Sequence, residues 1–144
     1  MKIEWGADLP RELRQVLEPY VTRYLDILPP WCHTLQILPE TDPAELASET
    51  YMSMTADYKY RRATLRAFPQ FLSRGDEERE QTIVHEFVHV LNAPLVDFTD
   101  QLVAILEEKS PGAKEMLEVL REAGMEAATE DTAMLLWRLT ADRR

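Results

Sequence analysis

Residues 82–91 read TIVHEFVHVL, a sequence that predicts a buried helix with a single polar stripe. On a helix of about 100° per residue, apolar side chains cover most of the circumference: Ile83, Val84, Phe87, Val88, Val90 and Leu91. The polar residues that remain form one narrow stripe: Thr82, His85, Glu86 and His89. Because a helix that is apolar on most sides is a buried one, the two imidazoles and the carboxylate are expected inside the protein or along a cleft.

The spacing of this stripe is typical of a catalytic zinc site. His85 and His89 are four residues apart and stand one above the other, so both can bind a zinc ion at roughly 2.0 to 2.1 Å. Glu86 lies about 100° further round the helix and can reach a metal-bound water. Zinc lowers the pKa of such a water to about 7. Glu86 is the predicted general base that takes its proton, which is the chemistry of peptide-bond hydrolysis.

The sequence before this helix predicts one helix followed by several strands. Residues 9–27 are predicted to form an amphipathic helix, because apolar side chains recur at spacings of three and four. HTLQIL, residues 33–38, predicts a short strand. Residues 52–60 and 61–68 predict a hairpin or two adjacent antiparallel strands, and Pro69 suits a second strand at or near a sheet edge.

After Gly75 the sequence predicts only helices, over about 76–91, 96–109 and 112–141. Asn92 and Pro94 are expected to end the first, and Gly124 is a candidate break in the last. The predicted fold class is therefore α+β. An N-terminal helix precedes a small, mostly antiparallel sheet of about three strands, and the HExxH helix and C-terminal helices follow.

Composition excludes several classes of protein. A chain of 144 residues predicts one domain, 1–144, and a net charge of -10 argues against nucleic acid as a partner. No apolar run approaches the roughly 18 to 20 residues of a membrane span, and the N-terminus lacks the features of a secretory signal. A single cysteine, Cys32, fits a reducing compartment, so the expected location is the cytoplasm.

A catalytic zinc site needs a third protein ligand, and the sequence offers it on the last helix. Positions 92 and 95 are Asn and Leu, which excludes a third histidine on an extended motif, and His33 starts a strand far upstream. A carboxylate from a later helix is the remaining class. Glu126 and Glu130 share a face of the otherwise apolar segment GMEAATEDTAMLLWRL, residues 124–139. Either could be the ligand, and both could equally lie on a solvated face.

The run from Tyr60 to Leu91 resembles the core of the zincin metallopeptidases, in which an edge strand lies beside an HExxH helix. Its length makes the chain similar to the compact intracellular zincin domains of bacteria and phages. The resemblance implies a minimal zincin fold, a Zn²⁺ cofactor and hydrolysis of a peptide or protein substrate. It also implies that the substrate pairs with the strand at 62–68 by β-augmentation.

The segment Glu126-Ala-Ala-Thr-Glu130 is similar to the ligand motif of the glutamate-type zincins, or gluzincins. In that family the ligand opens a pattern of Glu, two residues, a small residue and then Asp or Asn. The resemblance implies that Glu126 is the third ligand and that Glu130 orients a histidine. This chain has Glu where the family has Asp or Asn, and 36 residues separate His89 from Glu126.

Two other interpretations stay open at the level of sequence. The chain could be a non-catalytic zincin-like domain that binds metal or a partner and regulates another protein. It could also be a metal-free α+β domain whose histidines belong to the core. Glu86 favours catalysis, because a purely structural site has no use for a carboxylate beside an open coordination position. Tyr58, Tyr60, Arg61 and Arg62 are candidates for the oxyanion donor, and the sequence singles out none of them.

Overall fold

A computed structural model of the protein describes residues 1–47, 50–109 and 114–140. The strands in these ranges are β1 (Lys2–Trp5), β2 (Thr34–Pro39), β3 (Met52–Asp57) and β4 (Arg62–Ala67). The α-helices are α1 (Arg11–Tyr24), α2 (Pro43–Leu46), α3 (Asp76–Lys109) and α4 (Lys114–Leu139). Short 3-10 helices cover Leu25–Ile27 and Pro69–Ser73. The predicted α+β class is confirmed.

The sheet is mixed and has the strand order β1-β2-β4-β3. β2 is parallel to both β1 and β4, and only β3 and β4 pair in an antiparallel hairpin. The expectation of about three mostly antiparallel strands is therefore wrong, although the hairpin itself is confirmed. The additional strand, β1, has the sequence KIEW and too few apolar residues to show a pattern. It is held by pairing with β2, where the Lys2 N–H donates to the His33 carbonyl at 2.8 Å.

β4 does not have the free edge that would receive a substrate strand. Its neighbours are β2 on one side and β3 on the other, so its backbone groups are paired on both sides. The prediction that a substrate pairs with residues 62–68 is wrong for this reason. The strand with a free side next to the helices is β3, because it pairs with β4 alone in the described sheet.

The core lies between one face of the sheet and the helices. α1 buries Leu13, Leu17, Val21 and Tyr24, which confirms the amphipathic helix predicted over residues 9–27. β4 buries Ala63, Leu65 and Ala67 on one face, and its other face carries the partly exposed Thr64 and Arg66. This arrangement leaves α3 packed against the edge strand β3, where the HExxH residues lie.

The helix α3 is continuous from Asp76 to Lys109, and the predicted end at Asn92 and Pro94 is wrong. Proline inside a helix removes one hydrogen bond, but packing against α4 supports α3 on both sides of Pro94. The Asn92 side chain does not cap the helix, because its amide donates to Thr129 Oγ1 of α4 at 3.0 Å. α4 continues through Gly124, and its predicted limits at 112 and 141 lie outside the described residues.

Among the described residues, none of the helices combines the length and the apolar character needed to cross a membrane.

Candidate metal centre

The polar stripe of α3 faces a cleft, and the apolar side chains between residues 83 and 90 of the helix are buried. The apolar side chains around it have no exposed surface: Ile83, Val84, Phe87, Val88 and Val90. The His85 and His89 side chains keep 20% and 31% of their surface exposed, and Glu86 is almost fully buried at 7%. The buried helix predicted from the sequence is therefore observed, with its histidines at the border between core and cleft.

The two imidazoles converge, as their spacing of four residues predicts. His85 Nε2 lies 3.1 Å from His89 Nε2, and the ring centroids are 4.9 Å apart in a T-shaped arrangement. Two ring nitrogens at this distance require a proton or a cation between them, because two lone pairs would repel. The two Nε2 atoms are therefore close enough to share one proton or to bind one metal ion.

α4 runs beside α3 and brings two carboxylates to the same point. Glu126 Oε1 lies 3.3 Å from His85 Nε2, and Glu126 Oε2 lies 3.7 Å from His89 Nε2. Glu130, one turn further along α4, accepts a hydrogen bond from His85 Nδ1 at 2.9 Å. The two glutamates therefore occupy different positions. Glu126 faces the nitrogens that the histidines share, and Glu130 lies behind one imidazole.

The two histidine nitrogens and the Glu126 carboxylate lie at separations close to those of a tetrahedral zinc site. Metal–ligand bonds of 2.0 to 2.1 Å at tetrahedral angles place ligand atoms about 3.3 to 3.4 Å apart. The observed separations are 3.1 Å between the histidine nitrogens and 3.3 and 3.7 Å from those nitrogens to the Glu126 carboxylate. His85, His89 and Glu126 also form a group whose ligand atoms all lie within 4.8 Å of one another.

The hydrogen bond from His85 to Glu130 fixes which nitrogen faces the shared point. A carboxylate only accepts, so His85 Nδ1 carries a proton, and Nε2 is left as the nitrogen that can bind a metal. Burial and the nearby His85 lower the pKa of His89, while Glu126 opposes them. The lowered pKa favours neutral His89, which is the form that binds a metal.

Glu86 is the most strongly perturbed acid of the site. Burial, with a smaller contribution from the Glu126 charge, raises the pKa of Glu86 to about 8. A backbone hydrogen bond from Met54 acts in the opposite direction and shows that the carboxyl group reaches β3. Glu86 therefore lies between the edge strand and Glu126, where a positive charge would reverse the electrostatic effect on its pKa.

Two clefts flank the histidine pair along β3. The His85-side cleft has a volume of about 390 Å³ and an apolar wall formed by Tyr51, Met52, Ala133, Met134 and Trp137. The His89-side cleft has a volume of about 420 Å³ and is bordered by Met54, Ala56, Tyr58, Asp97 and Asp100. Of the candidate oxyanion donors, Tyr58 lines a cleft and Tyr60 is exposed in the hairpin loop. A chain segment lying along β3 would pass both clefts and the histidines between them.

The free side of β3 offers backbone hydrogen-bonding groups to such a segment. The Phe68 N–H donates to the Tyr51 carbonyl across the hairpin at 3.1 Å. Because alternate residues of an antiparallel strand face the partner, the backbone groups of Met52, Met54 and Ala56 point away from β4. Sequence reasoning did not find these groups, because backbone atoms carry no residue-type signal and the strand order was unknown.

The structure brings together the five residues that the sequence selected for the metal centre and its general base. His85, Glu86 and His89 come from α3, and Glu126 and Glu130 come from α4, while His33 lies at the start of β2 and is not part of the group. The grouping rests on geometry alone, because no protein-family model, curated protein or solved structure matches this chain.

Proposed function

We propose that the protein is a zinc-dependent metallopeptidase with a glutamate-type zincin site. His85, His89 and Glu126 would hold the zinc ion, and Glu130 would orient His85. The observation that carries this proposal is the approach of the Glu126 carboxylate to two histidine nitrogens that are 3.1 Å apart, with Oε1 at 3.3 Å from His85 Nε2 and Oε2 at 3.7 Å from His89 Nε2. These separations are close to those in a tetrahedral site with one position left for water. The α3 helix beside an edge strand supports a zincin-like fold.

The roles of the chain's own residues follow from their positions. A bound zinc ion would supply Lewis acidity and would acidify a water at its open position. Glu86 is the group beside that position that can accept a proton, since Glu126 and Glu130 are engaged with the histidines. Its pKa of about 8 is that of the metal-free site, and a cation nearby would lower it so that the base is ionised.

The substrate class we propose is an extended peptide bound along the free side of β3. The outward backbone groups of Met52 and Ala56 would pair with the peptide backbone, as in other strand-addition complexes, on either side of the Met54 backbone group that bonds Glu86. A peptide in this position would place one carbonyl near the histidine pair. Its neighbouring side chains would enter the two clefts, and the apolar wall at Met134 and Trp137 suits a large apolar side chain.

The substitution Glu86→Gln tests the catalytic role directly. It removes the base while keeping the shape of the side chain, so the variant should retain stoichiometric zinc by elemental analysis. We expect its hydrolysis of a quenched-fluorescent peptide library to fall by at least about 100-fold, the scale of a general base. Glu77→Gln, on an exposed turn of the same helix, is the matched control and should behave like the wild type.

Two results would count against this assignment. Hydrolysis by the Glu86→Gln variant at the wild-type rate would exclude Glu86 as the base. Wild-type protein that holds zinc with no hydrolysis of any library member would favour the alternative of a metal-binding regulatory domain.

A further inference from the structure

An apolar stripe with coiled-coil spacing runs along α3. It begins in the buried first half of the helix and continues into the second half, where the same face is exposed. Its residues alternate at intervals of four and three: Val84, Val88, Leu91, Leu95, Phe98, Leu102 and Ile105. Val84 and Val88 are fully buried, but the five residues from Leu91 onward are 38 to 56% exposed. One apolar face is therefore buried in the first half of α3 and open in the second.

This open part, the Leu91–Ile105 stripe, lies away from the proposed metal centre. Asp97 and Asp100 are the only charged residues between positions 91 and 105, and they line the His89-side cleft. Asp100 also pairs with Arg121 of α4. On the helix the residues that border the stripe are uncharged: Asn92, Pro94, Thr99 and Gln101. The face is thus apolar at its centre and neutral at its margins.

We infer that the Leu91–Ile105 stripe is a self-association surface that binds the same stripe of a second copy of this chain. The spacing of four and three is that of a helix that packs against another helix with knobs in holes. A second copy supplies a helix with this spacing, and a two-fold axis lets one patch meet itself. Two chains of net charge -10 can approach here because the positions beside the stripe from Asn92 to Gln101 are uncharged, and the first carboxylate beside it in the sequence is Glu108, three residues after Ile105.

The charges disfavour two other occupants. Helices that lie on anionic membranes carry lysine and arginine on the polar face, whereas the polar side of this segment has Asp97 and Asp100. A helix with basic margins would find no acidic residue beside the stripe before Glu108, at its last turn. A second copy of this chain has the same mostly uncharged residues beside its own stripe, so it fits this surface better than either of these two partners.

The size of the surface predicts a weak, reversible dimer. Five side chains that are each about half exposed offer roughly 400 Å² of apolar surface per copy, or about 800 Å² for the pair, which is below the roughly 1,200 Å² of stable specific interfaces and in the range of weak, transient contacts. We therefore expect dissociation in the micromolar range. Since the clefts lie on another side of α3, the dimer would leave them open, and the inference does not depend on the proposed peptidase activity.

Sedimentation velocity across a low- to high-micromolar dilution series tests the surface. The wild type should shift from monomer to dimer, and Leu102→Glu should weaken the dimer at least tenfold by placing two carboxylates in the interface. Leu135→Glu is the matched control. It makes the same change at an exposed position of α4 off the stripe, and the variant should dimerise like the wild type.

Circular dichroism and zinc content of both variants should equal those of the wild type, which separates a lost interface from a lost fold or metal site. A wild type that is monomeric throughout the series would overturn the inference, as would dimerisation of Leu102→Glu at wild-type strength. A monomer that floats with anionic vesicles or binds a basic amphipathic peptide through the stripe would replace the second copy with that occupant.

Discussion

At the scale of single residues, Glu86 lies where its ionised form is unfavourable, and a nearby cation would stabilise that form. Its carboxyl group is nearly fully buried, and the charge of Glu126 acts on it. Burial of a charge without a partner is costly, so in the metal-free protein the group is held in its neutral form. A residue placed in this way is expected at a functional site rather than in a purely structural core.

This position predicts a pH dependence of stability in the metal-free protein. The pKa of Glu86 is raised from 4.5 to about 8, so the folded chain binds more protons than the unfolded chain between these values. Its contribution to stability is fully present below pH 4.5 and is lost as the pH rises through about 8. We expect the wild type to lose several kcal/mol relative to Glu86→Gln over this window.

Urea unfolding of both proteins with a chelator present measures that difference. Saturating zinc should reduce it, because a cation beside Glu86 favours the ionised form. A stability difference that stays constant across the window would show that Glu86 is not buried as a neutral acid.

At the scale of elements, the register between α3 and α4 determines whether a metal site exists. One part-buried hydrogen bond contributes to this register, since Asn92 donates to Thr129 Oγ1 at 3.0 Å and Thr129 has no exposed surface. Asn92 follows His89 by three residues, and Thr129 lies between Glu126 and Glu130. This bond thus connects the turn that carries the second histidine to the turn that carries the carboxylates.

Replacing Thr129 by valine should loosen the register at nearly constant volume. The Asn92 amide would lose its acceptor, and we expect about 1 to 3 kcal/mol of lost stability and an approximately tenfold lower zinc affinity. Thr129→Ser keeps the hydroxyl group and should retain the affinity. Competition titration with a zinc chelator distinguishes the variants, and an unchanged affinity in Thr129→Val would exclude this role.

The sequence predicted the elements better than their arrangement. The apolar periodicity of Leu13, Leu17 and Val21 marks α1, and the alternation from Met52 to Phe68 marks the hairpin. Periodicity carries no information about strand order, so β4 was expected at or near an edge although β2 and β3 flank it. Pro94 was expected to end a helix because local preference does not include the packing of α4 on α3.

The site could be predicted more fully than the fold around it. His85, Glu86 and His89 are close in sequence, so helix geometry alone brings them together. Glu126 and Glu130 depend on a helix–helix contact, which the residue pattern suggested and the structure now describes with distances. The role of Met54 could not be predicted, because its backbone and not its side chain contacts Glu86.

At the scale of the whole molecule, a small sheet and two long helices form a cleft with a free strand on one side. Two separate surfaces lie on α3. The polar stripe lines the clefts, and the Leu91–Ile105 stripe lies on another side of the helix. A net charge of -10 favours a cation at the point where Glu86 and Glu126 meet the histidines. We propose that this cation is zinc, held by His85, His89 and Glu126.

Anomalous diffraction at the zinc absorption edge, from crystals of protein loaded with one equivalent of zinc, tests this claim most directly. We predict a single peak about 2.0 to 2.1 Å from His85 Nε2, His89 Nε2 and a Glu126 carboxylate oxygen. Glu130 should contact only His85 Nδ1. A crystal with no zinc peak at these atoms, or with Glu130 in place of Glu126 among the ligands, would contradict it.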